Sequence, residues 1–341
     1  MALDLPLIGV NEPNMAWLSE SDRVAMFANM AKAGVKAVRL NLQPPLEQSR
    51  QAIIEAHRAG LEVVLVTTFS APQFYEAGTT ERPRIGRIPA AHRLSEISVT
   101  NFANFFGEFW RSLAKSGVTL AAIEVGNEIN WAEFNGDLGV YNDKGGGVGL
   151  EQLANWGAIS DGLQRYIGIL KAVATLKRSI PGASDTLIVG PGLATISPRW
   201  AADLRADALD ARALHVWLLA HGAGQYVDAL AIHHYPDPTA SLEARRSALQ
   251  EAIAACLPDR VRLGCMVTEW GVRNDGRECP LDDATRAGIV REERAILDQA
   301  VTTKQLSGFM YFEWSGTSAT SIWRCGELSA AGRAAIAPLA H

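Results

Sequence analysis

The segment that decides the fold begins with VKAVRLNL (35–42), continues through the amphipathic LEQSRQAIIEAHRA (46–59) and Gly60, and ends with LEVVLVTTF (61–69). The two outer runs are short and rich in apolar and β-branched residues, which is typical of buried strands. The middle run has helical spacing, and a glycine directly after a helix adopts the left-handed conformation without a Cβ clash. A strand, a helix and a second strand in this order predict a parallel sheet covered by helices.

The same alternation recurs along the whole chain. We predict strands at Leu5–Val10, Val35–Leu42, Leu61–Phe69, Ala122–Asn127, Thr186–Pro191, Asp228–His234, Arg262–Thr268 and Ser307–Trp314. We predict helices at Ser21–Ala33, Leu46–Ala59, Thr100–Ser116, Glu151–Arg178, Asp207–Ala220, Leu242–Ala255, Asp283–Val301 and Ser329–Leu339. Eight strand–helix pairs fit an open doubly wound sheet or a closed (β/α)8 barrel, and the count and the length of 341 residues favour the barrel. No Gly-rich phosphate fingerprint follows the first strand, which argues against a dinucleotide fold. We therefore predict an α/β fold, a single-domain (β/α)8 TIM barrel over residues 1–341.

Composition excludes several classes of function. Apolar residues make up 48% and charged residues 20% of the chain, as in a globular protein with a large core. The net charge is −5 and the chain has no Lys/Arg run, so the composition does not suggest a nucleic-acid partner. The chain also has no apolar run of about 18 residues, so we predict no membrane span. The N-terminus lacks a signal-peptide pattern, so we expect either a cytoplasmic protein or a secreted or periplasmic one whose leader is removed. The sequence gives no signal for an oligomeric state.

Several predicted strands end in polar or aromatic residues. In a (β/α)8 barrel the chemistry occurs at the C-terminal ends of the strands and in the loops that follow them. Each of these residues alone has an ordinary explanation, because a Glu at a strand end is commonly solvated and a Trp commonly belongs to the core. The relevant strand ends are Val38-Arg39-Leu40, Gly126-Asn127-Glu128, His233-His234-Tyr235, Thr268-Glu269-Trp270-Gly271 and Phe312-Glu313-Trp314.

Together these strand ends predict a site for cleaving glycosidic bonds. The fourth and seventh strands lie on opposite sides of an eight-stranded barrel, so Glu128 and Glu269 would face each other across its mouth. Two carboxylates are the minimum requirement for this chemistry, one protonated and one ionised. A cation such as Arg39 near the second carboxylate would keep it ionised. Flat aromatic faces on which a sugar ring could stack would come from Trp131, Trp270 and Trp314.

This set of strand-end motifs resembles the active-site signature of clan A glycoside hydrolases. Within that clan it is most similar to the cellulase-like family five, with family thirty-nine next. The resemblance implies that Glu128 is the general acid and base, and that Glu269 is the nucleophile of a retaining mechanism. It also implies that Asn127 binds the 2-hydroxyl group of the sugar, an interaction that tightens in the transition state.

The resemblance also implies supporting roles for residues on other strands. Arg39 and Tyr235 would orient Glu269, and Arg39 would favour its ionised form. His233 lies two residues before Tyr235 on the same strand face and would support Glu128 or the substrate. Trp314 would form the floor of the sugar site next to the scissile bond.

Other carboxylates and the cysteines receive structural interpretations. Glu12 could touch the substrate, but we interpret it as an N-cap or loop residue. We interpret Glu124 as buried in an ion pair or in a water-filled barrel, and Glu313 as a structural ion-pair residue. Cys265 belongs to a strand and is expected in the core. Cys279 and Cys325 lie on neighbouring loops and could form a disulfide or remain free thiols.

Two other kinds of chemistry have little support in the sequence. His233-His234 could start a metal site, but the first strand has no His-x-His, and no Gly-x-Ser-x-Gly nucleophile motif occurs. We therefore expect no metal and no cofactor. The predicted function is a retaining glycoside hydrolase acting on a β-linked oligo- or polysaccharide, endo-acting on a β-glucan or a related polymer. A transglycosylase with the same covalent intermediate and a non-catalytic sugar-binding barrel are the alternatives.

Overall fold

Eight parallel strands close into a barrel. This computed structural model describes residues 6–276, 278–316 and 318–339. Its barrel strands are Leu7–Glu12, Ala37–Leu42, Glu62–Thr67, Leu120–Val125, Leu187–Ala194, Ala229–His234, Cys265–Trp270 and Leu306–Tyr311, called the first to the eighth below. Each strand pairs with the next one in the sequence, and the eighth pairs with the first. The predicted single (β/α)8 barrel is confirmed.

Nine helices surround the barrel within the described ranges. They are Glu20–Lys32, Leu46–Arg58, Val99–Lys115, Trp156–Ser179, Pro198–Leu204, Ala211–Ala220, Leu242–Ala255, Ala284–Thr302 and Ala330–Ala335. Eight of them correspond to predicted helices, and Pro198–Leu204 lies between the predicted strand Thr186–Pro191 and the predicted helix Asp207–Ala220, where no helix was predicted. None of the described helices combines the length and the hydrophobicity needed to cross a lipid bilayer.

Capping residues explain where several helices begin and end. The side chains of Ser19 and Ser98 accept hydrogen bonds from the backbone N–H groups of the first helical turn. Asp210 caps the helix that begins at Ala211, which therefore starts four residues later than predicted. The glycines that follow three helices, Gly34, Gly60 and Gly117, have φ angles of 93°, 83° and 78°. The sequence signal for these helix ends is thus correct.

The observed strand ends differ from the predicted ones near the mouth of the barrel. The first strand extends to Glu12 rather than ending at Val10, and its predicted start, Leu5, lies outside the described residues. The fourth strand ends at Val125, so the chain turns before Asn127 and Glu128. The eighth strand ends at Tyr311, which leaves Trp314 in the loop that follows.

Two hydrophobic clusters form the core. The smaller cluster consists mainly of residues from the strands, such as Ala37, Val64, Ala231, Met266 and Met310, and fills the barrel interior. The larger cluster combines strand and helix side chains and lies between the barrel and its helices. The barrel interior is therefore a packed apolar layer and not a pore, and the polar side chains of the mouth lie above this layer.

All four cysteines are bonded in pairs. Cys279 and Cys325 form a disulfide between the loops after the seventh and eighth strands, which decides the alternative that the sequence left open. Cys265 is buried, as predicted for a core residue, and it is bonded to Cys256 at the end of the preceding helix. The sequence did not predict this second pair.

Candidate active site

On several strands, the residue two positions after a hydrophobic residue of the barrel interior has a polar side chain. Because side chains alternate between the two faces of a strand, Arg39 follows Ala37 into the barrel, and His233 follows Ala231. Glu124, on the fourth strand, likewise contacts both of these polar residues inside the barrel. The strand ends thus converge on one cluster of charged groups.

Arg39 is the centre of this cluster. Its Nε and Nη2 atoms donate to the two carboxylate oxygens of Glu124, each at 2.8 Å. Its Nη1 atom donates to Glu269 Oε1 at 2.6 Å and to Asn11 Oδ1 at 2.7 Å. Nη2 also donates to Asn127 Oδ1 at 2.9 Å. The planar guanidinium therefore fixes four side chains relative to one another, from the first, fourth and seventh strands and from the turn after the fourth.

Glu124 carries the charge that balances Arg39 below the mouth. Burial alone would raise the pKa of Glu124, but the adjacent Arg39 guanidinium outweighs burial and lowers it to about 2. The same attraction raises the pKa of Arg39 despite its burial. The interpretation of Glu124 as a carboxylate buried in an ion pair is confirmed.

Glu269 lies at the end of the seventh strand and is held at both oxygens. Arg39 binds Oε1, and the hydroxyl group of Tyr235 donates to Oε2 at 2.6 Å. Burial of that hydroxyl and the charge of Glu269 raise the pKa of Tyr235 well above its usual range, so Tyr235 remains a donor. Both residues that the resemblance assigns to orienting Glu269 therefore contact it directly.

Glu128 has an unusual backbone conformation. Its φ angle is +43°, in the left-handed region, and its N–H group donates to Gly192 O at 2.8 Å. Such a conformation costs a non-glycine residue about 1–3 kcal/mol and persists where the surrounding structure enforces it, often at functional sites. The turn directs the carboxylate of Glu128 to His233, whose Nδ1 lies 2.7 Å from Oε1.

Glu128 and Glu269 face each other across a short gap. One carboxylate oxygen of each residue and one ring nitrogen of His233 all lie within 4.8 Å of one another. The structure thus brings the two glutamates from the fourth and seventh strands to one place.

His233 is surrounded by three carboxylates. Burial, the largest single influence, would lower its pKa, but Glu269, Glu124 and Glu128 together raise the pKa of His233 to about 9. The imidazole ring is therefore protonated at neutral pH, and its Nδ1–H group donates to Glu128. The other ring nitrogen, Nε2, lies 3.8 Å from Glu124.

We predict from this charge state that the protein loses stability between pH 6.5 and 9. The pKa of His233 is about 9 in the folded protein and near 6.5 in the unfolded chain, so the folded state keeps a proton that the unfolded state releases. The stabilisation is complete below pH 6.5 and is lost as the pH rises through 9, by about 3 kcal/mol at most. Urea denaturation at several pH values measures this decline.

Two histidine variants serve as controls for this prediction. His233→Asn should flatten the decline, whereas His57→Gln, on the helix Leu46–Arg58, should keep it. A wild-type stability that stays constant or rises from pH 6.5 to 9 would contradict the charge state assigned to His233.

Gly192 on the fifth strand makes room for the cluster. A Cβ atom at this position would overlap His233 Nε2 and Glu124 Oε1. A side chain at Gly192 would therefore displace the groups that neutralise one another around Arg39. This requirement was not predicted from the sequence, because it depends on which strands become neighbours in the closed barrel.

The cluster is better suited to hydrogen bonding than to binding a metal. By spacing alone, His233, Glu128 and Glu269 could surround a cation. However, Glu269 is already paired with Arg39, and a protonated imidazole has no free lone pair for a metal.

The three tryptophans predicted to offer stacking surfaces are almost fully buried. Trp270 packs against Phe309 and Tyr311 in the layer between barrel and helices, because it lies on the strand face opposite Glu269. The expectation that Trp270 provides a sugar platform is therefore wrong. Trp314 lies flat against Trp323, with ring centroids 5.2 Å apart, and Trp131 contributes to the wall of a groove described below.

Two buried carboxylates at the first and eighth strands have roles other than those predicted. Glu12 accepts hydrogen bonds from the N–H and hydroxyl groups of Ser315, and Glu313 accepts one from Ser321. Burial raises the pKa of each glutamate to about 7. Glu12 is therefore no helix cap, and Glu313 has no cationic partner within the described ranges, so it is not an ion-pair residue.

A groove of about 850 Å³ starts at Glu128 and His233. It runs over the loops after the fourth, fifth and sixth strands, and Glu133, Trp200 and Tyr235 contribute to its walls. These three strands are neighbours in the barrel, so the groove lies on one side of its mouth. A second cleft, of about 740 Å³ between the helices Ala284–Thr302 and Ala330–Ala335, contains none of the predicted site residues.

Solved structures of several glycoside hydrolases are similar to this barrel. A fungal β-1,4-galactanase shares 15% identity over 98% of this chain and 99% of its own, with a TM-score of 0.59. A family 5 endoglucanase of broad specificity from an uncultured bacterium shares 13% identity over 97% and 93%, with a TM-score of 0.57. A family 128 endo-β-1,3-glucanase from Amycolatopsis mediterranei, solved with laminaripentaose, shares 14% identity over 97% and 99%, with a TM-score of 0.52.

These neighbours are clan A glycoside hydrolases, so the structural likeness agrees with the resemblance drawn from the strand-end motifs. At such low identity the likeness shows a common fold. No protein-family model matches the sequence, and no curated protein matches it. An assignment of function therefore depends on the geometry of the site itself.

Proposed function

We propose that this protein is a retaining glycoside hydrolase that cleaves β-linked oligo- or polysaccharides. The observation that carries the proposal is the gap of at most 4.8 Å between carboxylate oxygens of Glu128 and Glu269. Retaining enzymes place their carboxyl groups about 5–5.5 Å apart, whereas inverting enzymes need about 6.5–9.5 Å to admit a water molecule. This limit applies to one oxygen of each carboxylate and lies below the separation that inverting enzymes need, so it supports a retaining mechanism.

In the first step, Glu269 attacks the anomeric carbon while Glu128 gives a proton to the leaving glycosidic oxygen. Arg39 and Tyr235 hold the two oxygens of Glu269 and fix the direction of attack. Because the attacking group is already held in position, the reaction avoids the entropy loss of a bimolecular encounter. The products are a covalent glycosyl ester on Glu269 and a free leaving sugar.

In the second step, Glu128 accepts a proton from a water molecule that attacks the ester. Two successive inversions at the anomeric carbon give net retention. Because His233 donates to Oε1 of Glu128, that oxygen is held and the other one can exchange the proton with substrate or water.

Asn127 is in position to bind the sugar next to Glu269. Its Oδ1 atom accepts from Arg39, which fixes the orientation of the amide group. The amide NH2 group has no acceptor among the described residues, so it can donate to a hydroxyl group of the sugar. This arrangement supports the role at the 2-hydroxyl that the resemblance implies.

The substrate class follows from the shape of the site. An open groove suits attack within a polymer, and the similar structures include a galactanase, an endo-β-1,3-glucanase and an endoglucanase. We propose endo-action on a β-glucan or a related β-linked polymer.

A two-stage measurement tests this function. Aryl β-glycosides and soluble β-glucans, galactans, mannans and xylans are screened for cleavage, and NMR then identifies the first anomer released. We expect the β-anomer to appear first and to mutarotate later. An initial α-anomer would overturn the retaining mechanism, and sugar binding without any cleavage would favour a non-catalytic barrel. Longer oligosaccharides as the main product would indicate transglycosylation.

A further inference from the structure

The groove lies on the side of the site where the leaving group departs. Glu128 protonates the glycosidic oxygen, so the leaving sugar must be next to Glu128. The groove begins at Glu128 and continues over the loops after the fourth, fifth and sixth strands. Sugar units beyond the scissile bond, on the leaving side, would therefore occupy this groove.

Trp200 is the exposed tryptophan of this groove. It belongs to the short helix Pro198–Leu204 after the fifth strand, and 53% of its surface is accessible. Trp131 lines the same groove but is buried. An exposed tryptophan in a cleft offers a large rigid apolar face, and such faces bind the apolar side of a sugar ring at low entropic cost.

The charges along the groove favour a neutral ligand. Glu133 and Asp237 line it beside Glu128, and burial together with the charge of Glu128 raises the pKa of Glu133. Asp210 and Glu251 also line the groove, as do two arginines, Arg212 and Arg245, of which Arg245 is paired with Glu293. The groove therefore has an excess of acidic groups, which disfavours glycans that carry uronic acids.

We propose that Trp200 is the stacking platform for a neutral sugar unit on the leaving side of the scissile bond. This inference rests on the proposed hydrolase function. It assigns a specificity-determining contact to a residue outside the strand-end motifs. The proposal places the platform beyond the position next to Glu128, so an aryl leaving group would not reach it, whereas an oligosaccharide leaving group would cover it.

The test compares two substrates that share the sugars on the Glu269 side. One is a 4-nitrophenyl β-disaccharide, and the other is the neutral tetrasaccharide of the same sugar and linkage, chosen from the glucan, galactan, mannan or xylan that the wild type cleaves. Trp200→Ala should lower kcat/KM for the tetrasaccharide about 10- to 100-fold and change that for the aryl substrate less than about twofold. Trp200→Phe keeps a flat ring and should restore most of the loss.

Trp17 provides the matched control. It is a tryptophan with 65% of its surface accessible, outside this groove, and its indole N–H group donates to Pro44 O. Trp17→Ala should leave the ratio of the two kcat/KM values unchanged. If Trp200→Ala leaves this ratio unchanged, or if Trp17→Ala changes it equally, the proposed role of Trp200 is wrong. The proposed hydrolase function would not be affected by either result. A wild type that cleaves neither substrate class would overturn the hydrolase function and the platform with it.

Discussion

Replacement of Glu269 by alanine should lower kcat/KM at least about 10⁴-fold on every glycoside that the wild type cleaves. The variant lacks the nucleophile, so the covalent intermediate cannot form. Arg39 keeps its bidentate partner Glu124, so we expect the fold to survive. Initial rates on an aryl β-glycoside, together with the melting temperature, measure both expectations.

Azide distinguishes the role of Glu269 from a general loss of activity. In Glu269→Ala a small anion can enter the space of the carboxylate and displace an aryl leaving group in a single inversion. We expect a glycosyl azide of the α configuration. Glu108→Ala, an exposed change on the helix Val99–Lys115, should keep full activity. Near-normal activity of Glu269→Ala on the aryl glycoside would show that another group is the nucleophile.

Replacement of Glu128 by alanine should have the second largest effect, and its size should depend on the leaving group. On an oligosaccharide we expect a loss of about 10²–10⁴-fold, the usual contribution of a general acid. On a 2,4-dinitrophenyl glycoside, which needs no protonation, the first step should remain fast and the ester on Glu269 should accumulate. Stopped-flow measurements should then show a burst of dinitrophenol, and mass spectrometry should detect the glycosylated protein.

Azide again gives an outcome specific to this residue. In Glu128→Ala it attacks the ester on Glu269 without a general base, so it should accelerate turnover and yield a β-glycosyl azide. Glu133→Ala is the matched control because Glu133 lines the same groove, and it should change the rate less than about tenfold. If Glu133→Ala shows the burst and the rescue instead, the acid and base has been assigned to the wrong carboxylate.

Residues on the inner faces of the strands could be predicted because their positions depend on local periodicity. A two-residue repeat places Arg39 above Ala37 and His233 above Ala231, whichever loops follow. The same repeat places Trp270 on the strand face opposite Glu269. This periodicity predicts that Trp270 packs outside the barrel, where it contacts Tyr311. The prediction for Trp270 is wrong because strand periodicity, and not proximity to Glu269 in the chain, determines which face its side chain occupies.

Residues in the loops could not be predicted in this way. Trp200 lies in a segment of 13 residues, 194–206, that carries no repeated pattern, and its short helix depends on the capping residue Ser197. Glu12 and Glu313 are buried because the loop after the eighth strand folds back and brings Ser315 and Ser321 to them. The contact of Glu12 with Ser315 joins residues 303 positions apart and has no local signature in the sequence.

The sequence by itself determined the eight strand–helix pairs, the (β/α)8 barrel and the set of polar residues at the strand ends, because these follow from hydrophobic periodicity and short-range turn chemistry. Only the tertiary structure decided which groups neutralise one another around Arg39, which cysteines pair and which tryptophans stay exposed. Charge compensation, disulfide geometry and accessibility all depend on distances between segments that are remote in the chain, and barrel closure is what sets those distances.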